Sequence, residues 1–163
     1  MATPIKMRRK DKEIIGIGEK LEIIAKCKIC RLGLCENNYP YIVPLNYGFS
    51  YDEKLTLYFH SAKEGKKIDM IKNNSNACFE IDCDTKLVEG EKPCDYGYEF
   101  RSIIGFGKIV FLDTIDEKIT GLNYLMKQQT GKDIKFDFEE SKLKNVIVFK
   151  MLVDEFSGKE KHI

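Results

Sequence analysis

The chain has 163 residues, 43% of them apolar and 33% charged, which predicts one globular domain over residues 1–163 with short flexible tails at both ends. Its formal net charge of +1 excludes a general basic field for nucleic acid. No segment reaches the roughly 20 apolar residues of a membrane helix, so no membrane partner is expected.

The N-terminus and the cysteines indicate the compartment. Residues 1–6 read Met-Ala-Thr-Pro-Ile-Lys and hold no apolar signal region, which predicts a cytoplasmic protein. The six cysteines are then expected as small buried or half-buried thiols, because structural disulfides are uncommon in a reducing compartment. The Cys27-Lys-Ile-Cys30 spacing also fits a redox motif, but no thioredoxin-like pattern surrounds it. With only two histidines, neither beside a cysteine pair, no metal site is expected.

The predicted elements begin with a short amphipathic helix at Ile17, Leu21 and Ile24, after which the pattern becomes β-rich. Strands are expected over residues 31–35, 41–49, 55–60, 77–83, 98–112 and 146–153. A helix is expected within residues 62–73 and another from Ile115 to Met126. Turn residues at 36–40 and 50–54 separate the first three strands.

These elements predict a mainly β fold of five or six antiparallel strands with a few short helices around them. Short turns between strands, rather than alternating helices, favour a small barrel over a Rossmann sheet. Residues 146–153 are apolar on both faces, which indicates a strand in the centre of the sheet or at an interface. Gly105 and Gly107 lie inside a predicted strand, where glycines are typical of a bend or bulge at which a barrel closes.

A candidate anion site lies where the strand over residues 55–60 gives way to a helix. His60 and Ser61 end the strand, and Gly65 precedes the lysine pair Lys66-Lys67. Backbone N–H groups at a helix start favour an anion, and glycine lets the backbone approach it closely. The hydroxyl adds a donor and the lysines add charge, although such a pair is also compatible with a merely solvated helix surface.

Several motifs in order resemble one known family. They are Tyr41-Ile-Val-Pro-Leu-Asn-Tyr-Gly-Phe49, His60-Ser61 with Lys66-Lys67 and Asn73-Asn74, Met7-Arg-Arg-Lys-Asp-Lys12, and Phe100-Arg-Ser-Ile-Ile-Gly-Phe-Gly-Lys108. Over roughly residues 7–155 the chain resembles the pyridoxamine 5'-phosphate oxidase-like FMN-binding split β-barrels. Within them it is most similar to the nitroimidazole-resistance (Nim-type) flavoproteins.

The resemblance implies an antiparallel split β-barrel that binds FMN at the interface of a homodimer. The cofactor-binding residues it implies, together with the glycine of the anion site, are Val43, Pro44, Leu45, Asn46, Tyr47, Phe59, His60, Ser61, Gly65, Lys66, Lys67 and Ser102. Val43 to Asn46 would face the isoalloxazine edge, with Tyr47 packed near the ring. Ser102 stands where the family often has a longer polar residue such as glutamine, and this chain departs from the family there because the serine side chain is shorter.

The leading functional hypothesis is an FMN-dependent oxidoreductase that passes electrons from a reduced nicotinamide to a small acceptor such as a nitroaromatic compound. His60 is the candidate catalytic residue, with a purely structural role as the alternative. A second hypothesis is a non-catalytic module that carries or senses FMN or a related planar ligand. A true pyridoxamine-phosphate oxidase is less favoured. Those enzymes close the substrate site with a C-terminal segment rich in arginine and histidine, and residues 156–163 of this chain contain no arginine.

Overall fold

A computed structural model describes residues 6–162 of the protein; residues 1–5, which bear on the signal-region argument, and residue 163 lie outside that range. The strands are β1 (Glu13–Ile14), β2 (Ile29–Glu36), β3 (Tyr39–Asn46), β4 (Gly48–Asp52), β5 (Lys54–Ala62), β6 (Asn76–Val88), β7 (Gly97–Leu112) and β8 (Val146–Lys161). The helices are α1 (Ile17–Lys26), α2 (Lys66–Asn73), α3 (Ile115–Thr130) and α4 (Glu140–Leu143). None of these described helices is long and apolar enough to cross a membrane.

The strands of residues 6–162 form one antiparallel sheet in the order β3-β2-β6-β7-β8-β5-β4, with β1 paired to β8. The two edge strands of this order, β3 and β4, follow one another in the chain, since β3 ends at Asn46 and β4 begins at Gly48. Consecutive Cα atoms are about 3.8 Å apart, so the two edges must meet there. The sheet is therefore curled into a barrel. Its two edge strands, β3 and β4, come together at this turn but are not hydrogen-bonded to each other.

The predicted mainly β, antiparallel class with short flanking helices is confirmed, and residues 146–153 lie in β8, between β7 and β5. The described residues form eight strands rather than five or six. One strand was expected over residues 41–49, but the structure has two, β3 and β4, separated by Tyr47. The side chain of Tyr47 is buried and donates to the carbonyl oxygen of Ile24. Gly48 then packs so closely on α3 that a Cβ would overlap the backbone of Tyr124 and Leu125.

Of the two glycines in β7, Gly107 lies at a bulge, as expected, and Gly105 lies two residues before it in the regular part of the strand. The pairing of β7 with β8 shifts between Phe106 and Gly107. A Cβ at Gly107 would overlap the carbonyl oxygen of Leu152, and a Cβ at Gly105 would overlap the ring of Phe79. Close approach of the β8 backbone therefore requires glycine at Gly107, whereas the buried ring of Phe79 requires it at Gly105.

Two apolar clusters hold the fold together. The larger one fills the barrel and includes the fully buried Leu32, Phe59 and Phe149, which come from three different strands. The smaller one lies on the outer face of the sheet, where Leu122 of α3 packs against Val148 of β8. Each fully buried side chain of this size contributes about 1.5–3 kcal/mol. The outer cluster anchors α3 beside β5, the strand that leads into the candidate site.

Candidate functional site

The junction between β5 and α2 has the backbone of an anion site. Gly65 precedes α2 with φ 137° and ψ 156°, a conformation open only to glycine, and its carbonyl oxygen accepts from the N–H groups of Ile68 and Asp69. Nothing lies within 4 Å of the position that a Cβ would occupy. Because Gly65 has no side chain to cap α2 and no other side chain caps it, the first N–H groups of the helix remain available to an anion.

Two lysines concentrate positive charge at this end of α2. The Nζ atom of Lys66 lies 4.9 Å from the ring centroid of Tyr41, so the lysine reaches across to β3. Partial burial and the nearby charge of Lys67 lower the pKa of His60 below its ordinary value. His60 is therefore neutral near neutral pH, with one ring nitrogen able to donate and the other able to accept.

Ser61 supplies a buried hydroxyl that lacks a partner. Its side chain is only 5% exposed, and its Oγ atom has no hydrogen-bond partner within residues 6–162. Leaving a buried polar group unpaired costs about 1–3 kcal/mol, which an incoming acceptor would recover. Together with the open cradle at Gly65 and the two lysines, this donor fits a phosphate group.

Strand β3 presents alternate residues to the core and to solvent. Val43 and Leu45 pack partly against the barrel core, whereas Pro44 and Asn46 are exposed. The Asn46 side chain donates to the carbonyl oxygen of Lys28 and to Oε1 of Gln129 on α3, at 3.2 and 3.1 Å. The strand therefore offers a polar amide and a hydrophobic edge beside the anion site.

Two predicted site residues lie in the core instead of on this surface. Tyr47 and Phe59 are both fully buried, and the ring of Phe59 stacks on Phe149 with centroids 5.3 Å apart. Burial raises the pKa of Tyr47 above its ordinary value, as expected for a phenol removed from water. Side-chain contact of Tyr47 with a bound ring is therefore not available in this conformation.

Ser102 lies apart from the other predicted residues within one chain. It sits in the first half of β7, a strand of 16 residues, and pairs with Asp82 and Lys159. His60 of β5 pairs with Val148 of β8, and Val148 pairs on its other side with Leu112, the last residue of β7. Strands rise about 3.4 Å per residue, so Ser102 is far along the sheet from the anion site.

Gln129 of α3 contacts the predicted site residue Asn46, although no sequence motif singled it out. Its Nε2 atom donates to the carbonyl oxygens of Tyr47 and Lys28, and its Oε1 atom accepts from Asn46. It is separated from Asn46 by 83 positions, so no local pattern in the sequence could have linked the two.

A groove of about 750 Å³ lies elsewhere, between α3 and the segment that follows it. Tyr124, Asn123 and Phe136 are among its lining residues, and none of the predicted site residues lines it. Asn123 ties this segment to the helix by accepting from the N–H of Phe136. The groove is lined by both acidic and basic side chains, so the β5–α2 junction, with its uncapped helix start and two lysines, is the better candidate for a phosphate site.

Comparison with known proteins adds two kinds of match. A family model described as pyridoxamine 5'-phosphate oxidase matches residues 18–160. A candidate 5-nitroimidazole antibiotic resistance protein from Bacteroides thetaiotaomicron is 32% identical, with a TM-score of 0.79 over 91% of this chain and 86% of that one. Curated protein sequences provide no match.

More distant structures share the fold. An FAD-binding protein from Mesorhizobium loti is 23% identical, with a TM-score of 0.63 over 91% of this chain and 96% of that one. The flavocytochrome Anf3 from Azotobacter vinelandii is 14% identical, with a TM-score of 0.78 over 97% of this chain and 73% of that one. At these identities the likeness concerns architecture alone.

Proposed function

Since the chain belongs to the pyridoxamine 5'-phosphate oxidase family, we propose that it binds FMN at the β5–α2 junction and passes electrons from a reduced nicotinamide to a small acceptor. The family resemblance and the split-barrel fold expected from the sequence are both confirmed. The proposal of a nitroaromatic acceptor draws support from the 32% identical protein, which is described as a candidate 5-nitroimidazole resistance protein.

The observation that carries the proposal is the uncapped start of α2 with an unpaired buried hydroxyl beside it. Ser61, Gly65 and the two lysines provide a donor, a backbone cradle and positive charge in one place. A terminal phosphate monoester carries about −1.5 to −2 charges at neutral pH, more than each phosphate of a diphosphate diester. Two lysines therefore favour FMN over FAD, even though some structural relatives are described as FAD-binding.

Bound flavin supplies the two-electron chemistry, and the protein supplies binding, orientation and hydrogen bonds. Val43, Pro44 and Leu45 would lie along the ring edge, with Asn46 adding a polar contact. His60, held neutral by its surroundings, would offer a proton donor or acceptor near the flavin. No strong general base is required of the chain for this chemistry.

We place the partner of a homodimer on the outer face of the sheet. Side chains alternate along β7, so Ser102 shares this face with Ile104 and Val110, which are 43% and 41% exposed. Leu152 of β8 is 42% exposed on the same face. Apolar side chains on a sheet face are typical of a protein interface. A second copy on this face would also bring the partner's Ser102 towards the flavin, which one chain alone does not.

The binding site is tested by reversing its charge. In the variant with Lys66→Glu and Lys67→Glu, attraction becomes repulsion beside a doubly charged phosphate, and we expect the dissociation constant for FMN to rise at least 100-fold, about 2.7 kcal/mol. The measurements are flavin absorbance after gel filtration, and titration of the flavin-free protein with FMN and FAD. The matched control is Lys86→Glu with Lys92→Glu, an equal charge change at two exposed lysines near the far end of β6.

Wild-type flavin content in the first variant would refute the phosphate site. A wild-type protein that is colourless and takes up neither FMN nor FAD would refute the flavin proposal itself. Tighter binding of FAD than of FMN would replace the proposed cofactor while keeping the site.

Catalysis is tested separately, because a flavin-binding carrier or sensor module would also be yellow. Anaerobic stopped-flow mixing with NADH and with NADPH should bleach the flavin absorbance. Failure with both donors would favour the module without turnover. Formation of pyridoxal phosphate from the pyridoxamine compound would instead identify a true pyridoxamine-phosphate oxidase.

A further inference from the structure

Hydrogen bonds determine which way the Asn46 amide points. Its Nδ2 group faces the carbonyl oxygen of Lys28 at 3.2 Å, and a carbonyl can only accept, so the atom there must be the amide nitrogen. The second hydrogen of Nδ2 is directed to Oε1 of Gln129 at 3.1 Å. Both donors of Asn46 are therefore used within the protein.

The same reasoning fixes Gln129. Its Nε2 atom faces two carbonyl oxygens, those of Tyr47 at 2.9 Å and Lys28 at 3.1 Å. Both of its hydrogens are thus committed, and its Oε1 atom must be the group that faces Asn46. Reversing either amide would bring oxygen against oxygen, so the two side chains hold each other in one orientation.

Only the Oδ1 atom of Asn46 remains for a ligand. The side chain is exposed on β3, and no group within residues 6–162 donates to this oxygen. At the flavin edge Asn46 can therefore act as an acceptor and cannot act as a donor. The complementary feature is a ring N–H, and the oxidised isoalloxazine ring carries one N–H, at N3.

Resting on the proposed flavin site, we infer that Gln129 is a positioning residue that fixes Asn46 as a hydrogen-bond acceptor for the N3–H of the flavin. The pair then selects planar ligands that have an imide-type N–H. A ring that presents only acceptors at this edge would leave oxygen facing oxygen and would bind more weakly.

The test compares FMN with 3-methyl-FMN, which keeps the phosphate and the ring but lacks the N3–H. The ratio of the two dissociation constants is measured by fluorescence titration of flavin-free protein. We expect wild type to bind 3-methyl-FMN at least tenfold more weakly than FMN. In Asn46→Ala, which removes the acceptor and leaves room for the methyl group, we expect a ratio within about twofold of unity.

Gln129→Met keeps the side-chain length but removes all three hydrogen bonds of Gln129, so only the carbonyl oxygen of Lys28 still holds the Asn46 amide, and the ratio should fall at least threefold from the wild-type value. A purely structural role would weaken both ligands equally and leave the ratio unchanged. Asn76→Ala, at the exposed start of β6, is the matched control and should keep the wild-type ratio. Thermal unfolding verifies that each variant is folded.

The outcomes separate the two proposals. If wild type binds FMN, loses it on reversal of Lys66 and Lys67, and yet binds both ligands equally, only the orientation of Asn46 is overturned. A wild-type ratio that persists in Asn46→Ala, or an unchanged ratio in Gln129→Met, also overturns it. If wild type binds no flavin, the proposed function fails and this inference fails with it.

Discussion

Replacing Gly65 by alanine tests whether the backbone at the start of α2 is built for a ligand. The residue has φ 137° and ψ 156°, which an L-residue adopts only under strain of about 1–3 kcal/mol. No atom lies within 4 Å of the added Cβ, so the cost is backbone strain without a steric overlap. If the chain relaxes to escape that strain, the first turn of α2 moves and the cradle for the phosphate is lost.

Gly131 provides the matched control for this change. It ends α3 with φ 71° in the left-handed region, and it too has open space around its Cβ position. Alanine there should cost about 1–2 kcal/mol for the left-handed conformation. Both variants therefore lose stability through the backbone, but only Gly65 lies at the proposed phosphate site.

Urea unfolding of the flavin-free proteins measures the two free-energy losses, and in a domain of this size each 1 kcal/mol lowers Tm by about 2–4 °C. Titration with FMN then measures binding. We expect Gly65→Ala to weaken FMN binding at least tenfold and Gly131→Ala to leave it within twofold of wild type. The reasoning is refuted if Gly65→Ala binds FMN normally, or if both variants weaken binding to the same extent.

Three further predictions follow from other parts of the structure. A bound phosphate should raise the pKa of His60, which burial and Lys67 now lower; NMR titration of its ring protons with and without FMN measures the change, and an unchanged pKa would contradict phosphate binding beside His60. Because the unfolded state binds the proton more readily, flavin-free protein should lose stability as pH falls below about 6.5, and His60→Gln should remove this component from urea unfolding at pH 7.5 and 5.5. Gly107→Ala should cost more than about 3 kcal/mol or prevent folding, since its Cβ would overlap the β8 backbone; a loss below 1 kcal/mol would contradict the bulge geometry. Gln128→Leu should cost about 2–4 kcal/mol in urea unfolding, because its amide donates to three backbone carbonyls at the C-terminal end of α1, whereas an unchanged midpoint would show that water replaces it.

The sequence alone determined the local elements of this protein. Alternating apolar residues located β5 and β6, helical spacing located α1 and α3, and the glycine with two lysines located the start of α2. These features depend on residues close together in the sequence, because the spacing of apolar residues follows the buried face of a helix or strand. The proposed phosphate site could be suggested from the sequence for the same reason, since its candidate donors lie within seven consecutive positions, 61–67.

The tertiary structure decided what covers each face and which distant groups meet. Periodicity did not reveal the break at Tyr47, because a buried residue fits the strand pattern whether the strand continues or turns to the opposite edge of the barrel. The unpaired hydroxyl of Ser61 and the burial of Phe59 depend on neighbouring strands. The amide pair of Asn46 and Gln129 joins β3 to α3 across 83 positions. Such contacts arise only when the sheet curls and its edges meet, and no local pattern encodes that closure.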